Sequence, residues 1–302
     1  VYRELAETYY KWGRNKPSKS TEYMQTAIGY YEKYLSLTDH SLHSRMRHAD
    51  FLVLVKDYKA LEIEANKMIE MDKVNPRIFR YLGYSAYENG NADLAIKSLE
   101  SYIANPGNKV IAKDYLYLGN AKFKKGLSAD GLSIDPVLYN SGIEDIKKAI
   151  EIEAIIIEDL NEVGKKLFTL KLYKEAAPIF EFGTLNAENK NYVDDNIYYG
   201  LAIFYANKKT GVTPDPIALQ KADLAFEKVT VASPNYLDAY LYRGRTNSLL
   251  ENDPLTIKYY EEYVVKVTEK GPEELAKPAT IKKITESYNT IAASYANTDK
   301  VK

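Results

Sequence analysis

The apolar positions of this chain recur with a helical period, and small residues interrupt them at regular places. In "YLGYSAYENGNADLAIKSLE", residues 81–100, Leu82 and Gly83 share a helical face with Phe79 just upstream. Gly90 stands where that helix must end, and Ala95, Leu99 and Tyr102 form the inner face of a second one. Residues 76–109 therefore predict two antiparallel helices joined by a short turn. The same frame precedes this segment twice, as Tyr2, Leu5, Ala6, Tyr9 with Ala27, Tyr31, Tyr34, and as Ala49, Leu52 with Leu61, Ala65, Met68. It follows as Tyr115, Leu118, Gly119 with Ile143, Ile146, Ala149, then as Leu160, Val163, Gly164, Leu167 with Ala176, Phe180, Gly183. Tyr199, Gly200 with Ala222, Phe226, Val229 and Pro234 come next, and then Tyr240, Gly244 with Ile257, Tyr260, Tyr263, a frame weaker in its second half. Residues 278–298 add one further first helix, carrying Tyr288, Ile291, Ala292 and Tyr295.

This spacing resembles the tetratricopeptide repeat, a helix-turn-helix unit of about 34 residues with large and small side chains at set offsets. Small residues at positions 8 and 20 let the two helices approach, and a bulky one at position 24 fills the space beside them. The resemblance covers nearly the whole chain as one array, 1–302, with approximate repeats 1–39, 42–75, 76–109, 112–154, 157–190, 193–236 and 237–270, then the terminal helix. It implies an all-α fold, a right-handed superhelical solenoid of antiparallel helix pairs.

Three repeats carry extra residues between their helices: "RNKPSKSTEYMQ", "LSADGLSIDPVLYNS" and "NKKTGVTPDPIALQK". In a solenoid such insertions are expected along one rim, as tolerated loop drift or as a second docking edge. Asp135-Pro136, Asp215-Pro216 and Asp253-Pro254 read as aspartate caps followed by proline at the first helical position. Pro178 falls inside a second helix, where it must leave a carbonyl unpaired or kink the helix.

Composition changes the picture in three ways. Lys plus Arg total 41 against 42 Asp plus Glu, so no global field attracts nucleic acid. There is no cysteine, which removes disulfides, thiolate metal sites and thiol nucleophiles. Tyrosine numbers 28 against 8 Phe and 1 Trp, so tyrosine must do much of the packing. No apolar run reaches the roughly 18 residues of a membrane span. The opening Val1 reads as a cropped natural terminus, and the residue usage as bacterial in character with a lean towards an exported or periplasmic location.

Candidate chemistry is sparse. His40, His43 and His48 crowd beside Asp39 and Asp50, but their spacing does not aim three rings at one point on a helix, so no metal site is expected. No nucleophile-elbow, zinc-protease or phosphate-loop motif is present, so no catalytic residue and no cofactor is assigned. Positions 2, 5, 9 and 12 of each first helix should instead line a concave wall. They nominate Arg77, Arg80, Tyr84, Tyr87, Asn120, Phe123, Asn161, Lys165 and Phe168 as a protein- or peptide-binding surface. Aromatic residues there would anchor, and cationic or amide groups would orient the ligand. The Lys and Asn pair with which some co-chaperones of this family grip a terminal carboxylate is missing at positions 5 and 9. The expected function is a non-enzymatic scaffold for a protein or peptide of unknown identity. The alternative is an extracytoplasmic receptor holding an oligosaccharide in the aromatic groove.

Overall fold

The structure, a computed structural model, describes residues 1–38 and 40–297 in full and the helical backbone to residue 300. Its described residues form helices and turns, grouped into two compact units. Unit 1 holds residues 1–130 and 134–154, and unit 2 holds 131–133 and the residues from 155 onward. The division falls between the fourth and fifth helix pairs.

Unit 1 consists of α1 (Tyr2–Asn15), α2 (Ser20–Ser36), α3 (Leu42–Val55), α4 (Tyr58–Met71), α5 (Pro76–Glu88), α6 (Ala92–Ile103), α7 (Ala112–Gly126) and α8 (Pro136–Ile152). Unit 2 consists of α9 (Leu160–Thr169), α10 (Tyr173–Gly183), α11 (Tyr192–Asn207), α12 (Pro216–Ala232), α13 (Leu237–Leu249), α14 (Asp253–Thr268), the single turn α15 (Pro272–Leu275) and α16 (Pro278–Lys300). Within each unit every helix packs on the next, and α14 packs on α16 as well as on the single turn between them.

The small residues do what their spacing predicts. A β-carbon on Gly83 would lie 2.5 Å from Leu99, one on Gly164 2.7 Å from Phe180, one on Gly200 2.6 Å from Phe226 and one on Gly244 2.8 Å from Tyr260. Each first helix thus presses its backbone onto one large residue of the second. In α7 and α8 the obstacle is backbone, because a β-carbon on Gly119 would lie 2.8 Å from the carbonyl oxygen of Gly142. Ala27, Ala65, Ala95, Ala149, Ala176 and Ala222 are fully buried on the second helices. Close approach on this scale leaves no room for added methyl groups.

Four turns between paired helices share one device. A residue one or two positions past the first helix takes a left-handed backbone, at Lys56 (φ 61°), Gly90 (φ 97°), Lys171 (φ 61°) and Glu251 (φ 54°). The next amide then bonds back to the helix: Asp57 to Leu52, Asn91 to Ala86, Leu172 to Leu167 and Asn252 to Asn247, at 2.7–3.0 Å. This is the Schellman closure, which satisfies carbonyls the helix end would leave open. Only Gly90 announces it in the sequence. At the other three the hydrogen bonds offset a left-handed strain of about 1 kcal/mol.

Two of the three Asp-Pro sites behave as read. The Asp135 carboxylate accepts from Val137 and Leu138, and that of Asp215 from Ile217 and Ala218. The third is corrected: Asn252 caps α14 through the Leu255 amide at 3.2 Å, and Asp253 is the first helical residue. Asparagine reaches the orphan amide as well as aspartate does, so the cap moves one residue upstream. Pro178 sits inside α10, which continues through it to Gly183.

Tyrosine earns its frequency by filling space with its ring while its hydroxyl finds an acceptor. Tyr81 donates to Asp50 (2.6 Å), Tyr117 to Glu88 (2.8 Å), Tyr199 to Glu181 (2.7 Å) and Tyr31 to the Arg47 carbonyl (3.1 Å). Burial pushes the Tyr31 hydroxyl up to about 12. A phenylalanine at these places would keep the ring packing and lose the hydroxyl's hydrogen bond.

Candidate functional site

In unit 1 the polar residues of α5 turn towards neighbouring first helices. Arg77 stays exposed, its Nη2 reaching both Asp50 oxygens at 3.0 and 3.1 Å and the Tyr81 hydroxyl at 2.9 Å. Arg80 clamps Asp114 of α7 with Nε at 2.7 Å and Nη2 at 2.6 Å, and its guanidinium lies 4.4 Å over the Tyr102 ring. Tyr84 is buried, bonds Asp114 at 2.7 Å and stacks on Tyr117 at 4.4 Å. Tyr87 is half-buried, edge-on to Tyr117, with the Lys124 ammonium 5.4 Å from its ring. Asn120 is half-buried, and its Oδ1 meets no donor among the described residues. Phe123 is buried against Gly142 and the ring of Tyr139.

Beside this face, between α1 and α3, runs a groove of about 530 Å³ lined by Arg3, Tyr10, Lys11, Arg47, Asp50 and Leu54, among others. Its lining mixes the cations Arg3, Lys11 and Arg47 with the acids Glu7 and Asp50.

Unit 2 repeats the polar ladder. Asn161, buried on α9, donates to Asp195 at 2.7 Å and Asp194 at 3.2 Å on α11, and Lys165 reaches Asp194 at 2.6 Å. Burial raises the Asp195 carboxyl despite the amides of Asn161 and Asn189 that bond it. Arg245 of α13 grips Glu286 of α16 through Nε at 2.7 Å and Nη2 at 2.6 Å.

Phe168 is half-buried at the centre of a ring surface. It meets Tyr173 at 5.0 Å, Tyr198 at 5.1 Å and Tyr205 at 6.2 Å, and Tyr205 continues to Tyr242 at 6.3 Å, their hydroxyls 2.6 Å apart. Cations border the rings: Lys165 lies 5.4 Å from Tyr198, Lys208 5.4 Å from Phe204 and Arg245 4.8 Å from Tyr242.

The nominated residues therefore divide. Arg77, Tyr87, Asn120, Lys165 and Phe168 keep exposed surface, whereas Tyr84, Phe123 and Asn161 are 2%, 4% and 3% exposed. These three are corrected to scaffold, because each fills or bonds the space between helices and offers a partner almost nothing to touch. Arg80 is held by the same buried aspartate as Tyr84. Tyr173, Tyr198, Tyr205 and Tyr242 went unnominated. Positions 6 and 13 of a first helix lie on the same side as 2 and 9, which is the signal that finds the last three of them.

The histidines do not converge on an ion. His48 is buried beside Glu64, Nδ1 to Oε2 3.7 Å, and stacks on Tyr31, while His40 and His43 are exposed. Asp39 lies outside the described residues. Among the described residues no three His, Asp or Glu are grouped to hold a metal, and no helix is long and apolar enough to cross a membrane.

The Arg245–Glu286 pair gives a pH test. The Arg245 hydrogen bond holds the Glu286 carboxyl below its ordinary range, outweighing the burial that raises it. A depressed carboxylate contributes stability above its unfolded value, about 4.3, and loses it as pH falls through the folded value. Glu286→Gln is expected to lower stability by about 1 kcal/mol at neutral pH. The gap between parent and variant should close below about pH 4. Melting curves from pH 3 to 7 check this; a gap independent of pH would show that the ion pair is not the cause.

No protein-family model matches the chain, and no curated protein matches it. Solved structures do. The C-terminal part of a TPR repeat-containing protein from Cytophaga hutchinsonii is 23% identical with a TM-score of 0.48, covering 82% of this chain and 94% of that one. A MamA protein structure is 21% identical with a TM-score of 0.38, covering 65% and 93%. The TPR2AB domain of yeast Sti1, solved as a complex with pHSP90, is 15% identical with a TM-score of 0.36, covering 96% and 97%. These values are low, and the architecture is carried by the chain's own contacts. Glycine presses on a large residue of the paired helix in four pairs and on backbone in a fifth, with buried alanines opposite. Each unit is all-α, a succession of antiparallel helix pairs in which small residues meet large ones as the repeat spacing predicts.

Proposed function

We propose that this chain is a non-catalytic scaffold that binds a protein or peptide segment on the face formed by its first helices. The observation that carries this reading is the ring surface of unit 2, in which Phe168, Tyr198, Tyr205 and Tyr242 are each half-buried and held by one another. Rings already packed on their neighbours lose little freedom when a ligand covers them, which makes such surfaces effective anchors. Lys208 at the edge adds positive charge, so the fitting ligand is a segment with apolar or aromatic residues next to an acid.

Selection from a displayed peptide library tests this. Enriched peptides should carry acids beside aromatic residues, and their affinity should fall at least about tenfold for Tyr205→Ala combined with Lys208→Glu at unchanged helicity. Peptides that bind parent and variant equally would overturn the assignment of this surface. Oligosaccharides that raise the melting temperature where no peptide is enriched would replace it with glycan stacking.

A further inference from the structure

Asn247 of α13 is 2% exposed, yet it lines a cavity. Its amide can stand only one way round, because Nδ2 donates to Asp223 Oδ1 at 3.1 Å and to the Arg243 carbonyl at 3.0 Å, and both of these can only accept. Oδ1 is thereby turned away from them, and it accepts no hydrogen bond among the described residues. A buried acceptor at the edge of a cavity calls for a donor from outside.

The cavity, about 360 Å³, lies between α12 and the α13–α14 turn, at the rim where the sixth repeat carries its extra residues. Leu224, Leu250 and Leu255 give it apolar wall, Asp223 and Glu227 give it charge, and its lining includes no cation. Arg243 takes both oxygens of Asp223 at 3.0 and 3.2 Å and Oε1 of Glu227 at 3.1 Å, so one cation answers two acids. Oε2 of Glu227 stays open, and Glu251 and Asp253 add two further acids on either side of Asn252. The other cations of these helices are engaged or turned aside. Lys221 pairs with Glu181 at 3.1 Å and Lys258 with Glu262 at 4.0 Å, and Lys228, the residue after Glu227, points about 100° away round α12.

We propose that this cavity takes a lysine side chain from a segment of a partner protein. The ammonium donates to Asn247 Oδ1 and to the open oxygen of Glu227, and the aliphatic stem lies along Leu224 and Leu250. A compact ammonium turns its donors to acceptors on two separate groups, whereas a guanidinium is matched to the two-oxygen face that Arg243 already occupies on Asp223. The leucines at the lip call for aliphatic residues beside the lysine. The ligand is opposite in charge to the one the ring surface selects, so either assignment can fail alone.

The probes are two displayed libraries of short peptides, one with a fixed central lysine and one with a fixed central glutamate. Both are selected on the full chain carrying Tyr205→Ala and Lys208→Glu, which removes the ring surface from the competition. Enrichment is expected from the lysine library alone, with aliphatic residues flanking the lysine. Affinity for the enriched peptides should fall at least about tenfold with Glu227→Gln and with Leu224→Lys. Leu224 is 52% and the Glu227 side chain 47% exposed, so both variants should melt with the parent. No enrichment, equal enrichment from the two libraries, or affinity indifferent to Glu227→Gln would overturn the proposal. A chain that sediments as a dimer, and as a monomer only with Glu227→Gln, would overturn it in favour of a second copy.

Discussion

Asp114→Ala should be the most damaging single substitution in unit 1, lowering stability by about 3–5 kcal/mol. The carboxylate is fully buried and receives four hydrogen bonds: two from Arg80, one from the Tyr84 hydroxyl at 2.7 Å and one from the Ile111 amide at 2.9 Å. Removing it strands a half-buried guanidinium, a buried hydroxyl and a helix-terminal amide together. Each was desolvated on folding with this acceptor in place, and of the three only Arg80 keeps another, the Lys109 carbonyl 2.7 Å from its Nη2. Asp114→Asn keeps the shape and some of the bonds, so its loss should be smaller, about 1–3 kcal/mol. Urea titration followed by circular dichroism measures both. An alanine variant within about 1 kcal/mol of the parent would mean that Arg80 and Tyr84 find water instead, and would return both to the list of exposed candidates.

Gly183→Ala and Gly29→Ala should move stability in opposite directions, although both replace a helical glycine. A β-carbon at Gly183 would stand 2.0 Å from Oδ2 and 3.0 Å from Cβ of Asp195, so rotating the carboxylate cannot clear it. Asp195 must leave the amides of Asn161 and Asn189, which bond it at 2.7 and 2.8 Å and tie α9 and α10 to α11. Overpacking and the broken charged hydrogen bonds together amount to about 2–4 kcal/mol of destabilisation. At Gly29 in α2 nothing lies within 4 Å of the added methyl, so only the backbone effect remains, a gain of about 0.5–1 kcal/mol. Thermal melts of the two variants beside the parent decide it. A Gly183→Ala protein that melts with the parent would show that Asp195 relocates freely and that the network does not hold the three helices.

The sequence by itself determined the helix pairs and the contacts within them. Gly83 under Leu99, Gly164 under Phe180 and Gly200 under Phe226 were legible because the partners belong to one short unit. Their spacing follows from helical period and turn length alone. What it did not separate was ligand surface from scaffold on the first-helix face. Arg80 with Asp114, and Asn161 with Asp195, stand 34 residues apart and meet only when one pair stacks on the next. A polar residue at a face position reads the same in sequence whether its acid is a partner's or the next helix's. Tyr84 and Phe123 were misjudged for the same reason, since the depth of an aromatic side chain depends on the neighbouring pair. The tertiary structure decided these points, and also brought Tyr198 and Tyr205 to Phe168 and Tyr242 to Tyr205. Local periodicity specifies which side of a helix is apolar; only packing between pairs specifies what, if anything, covers it.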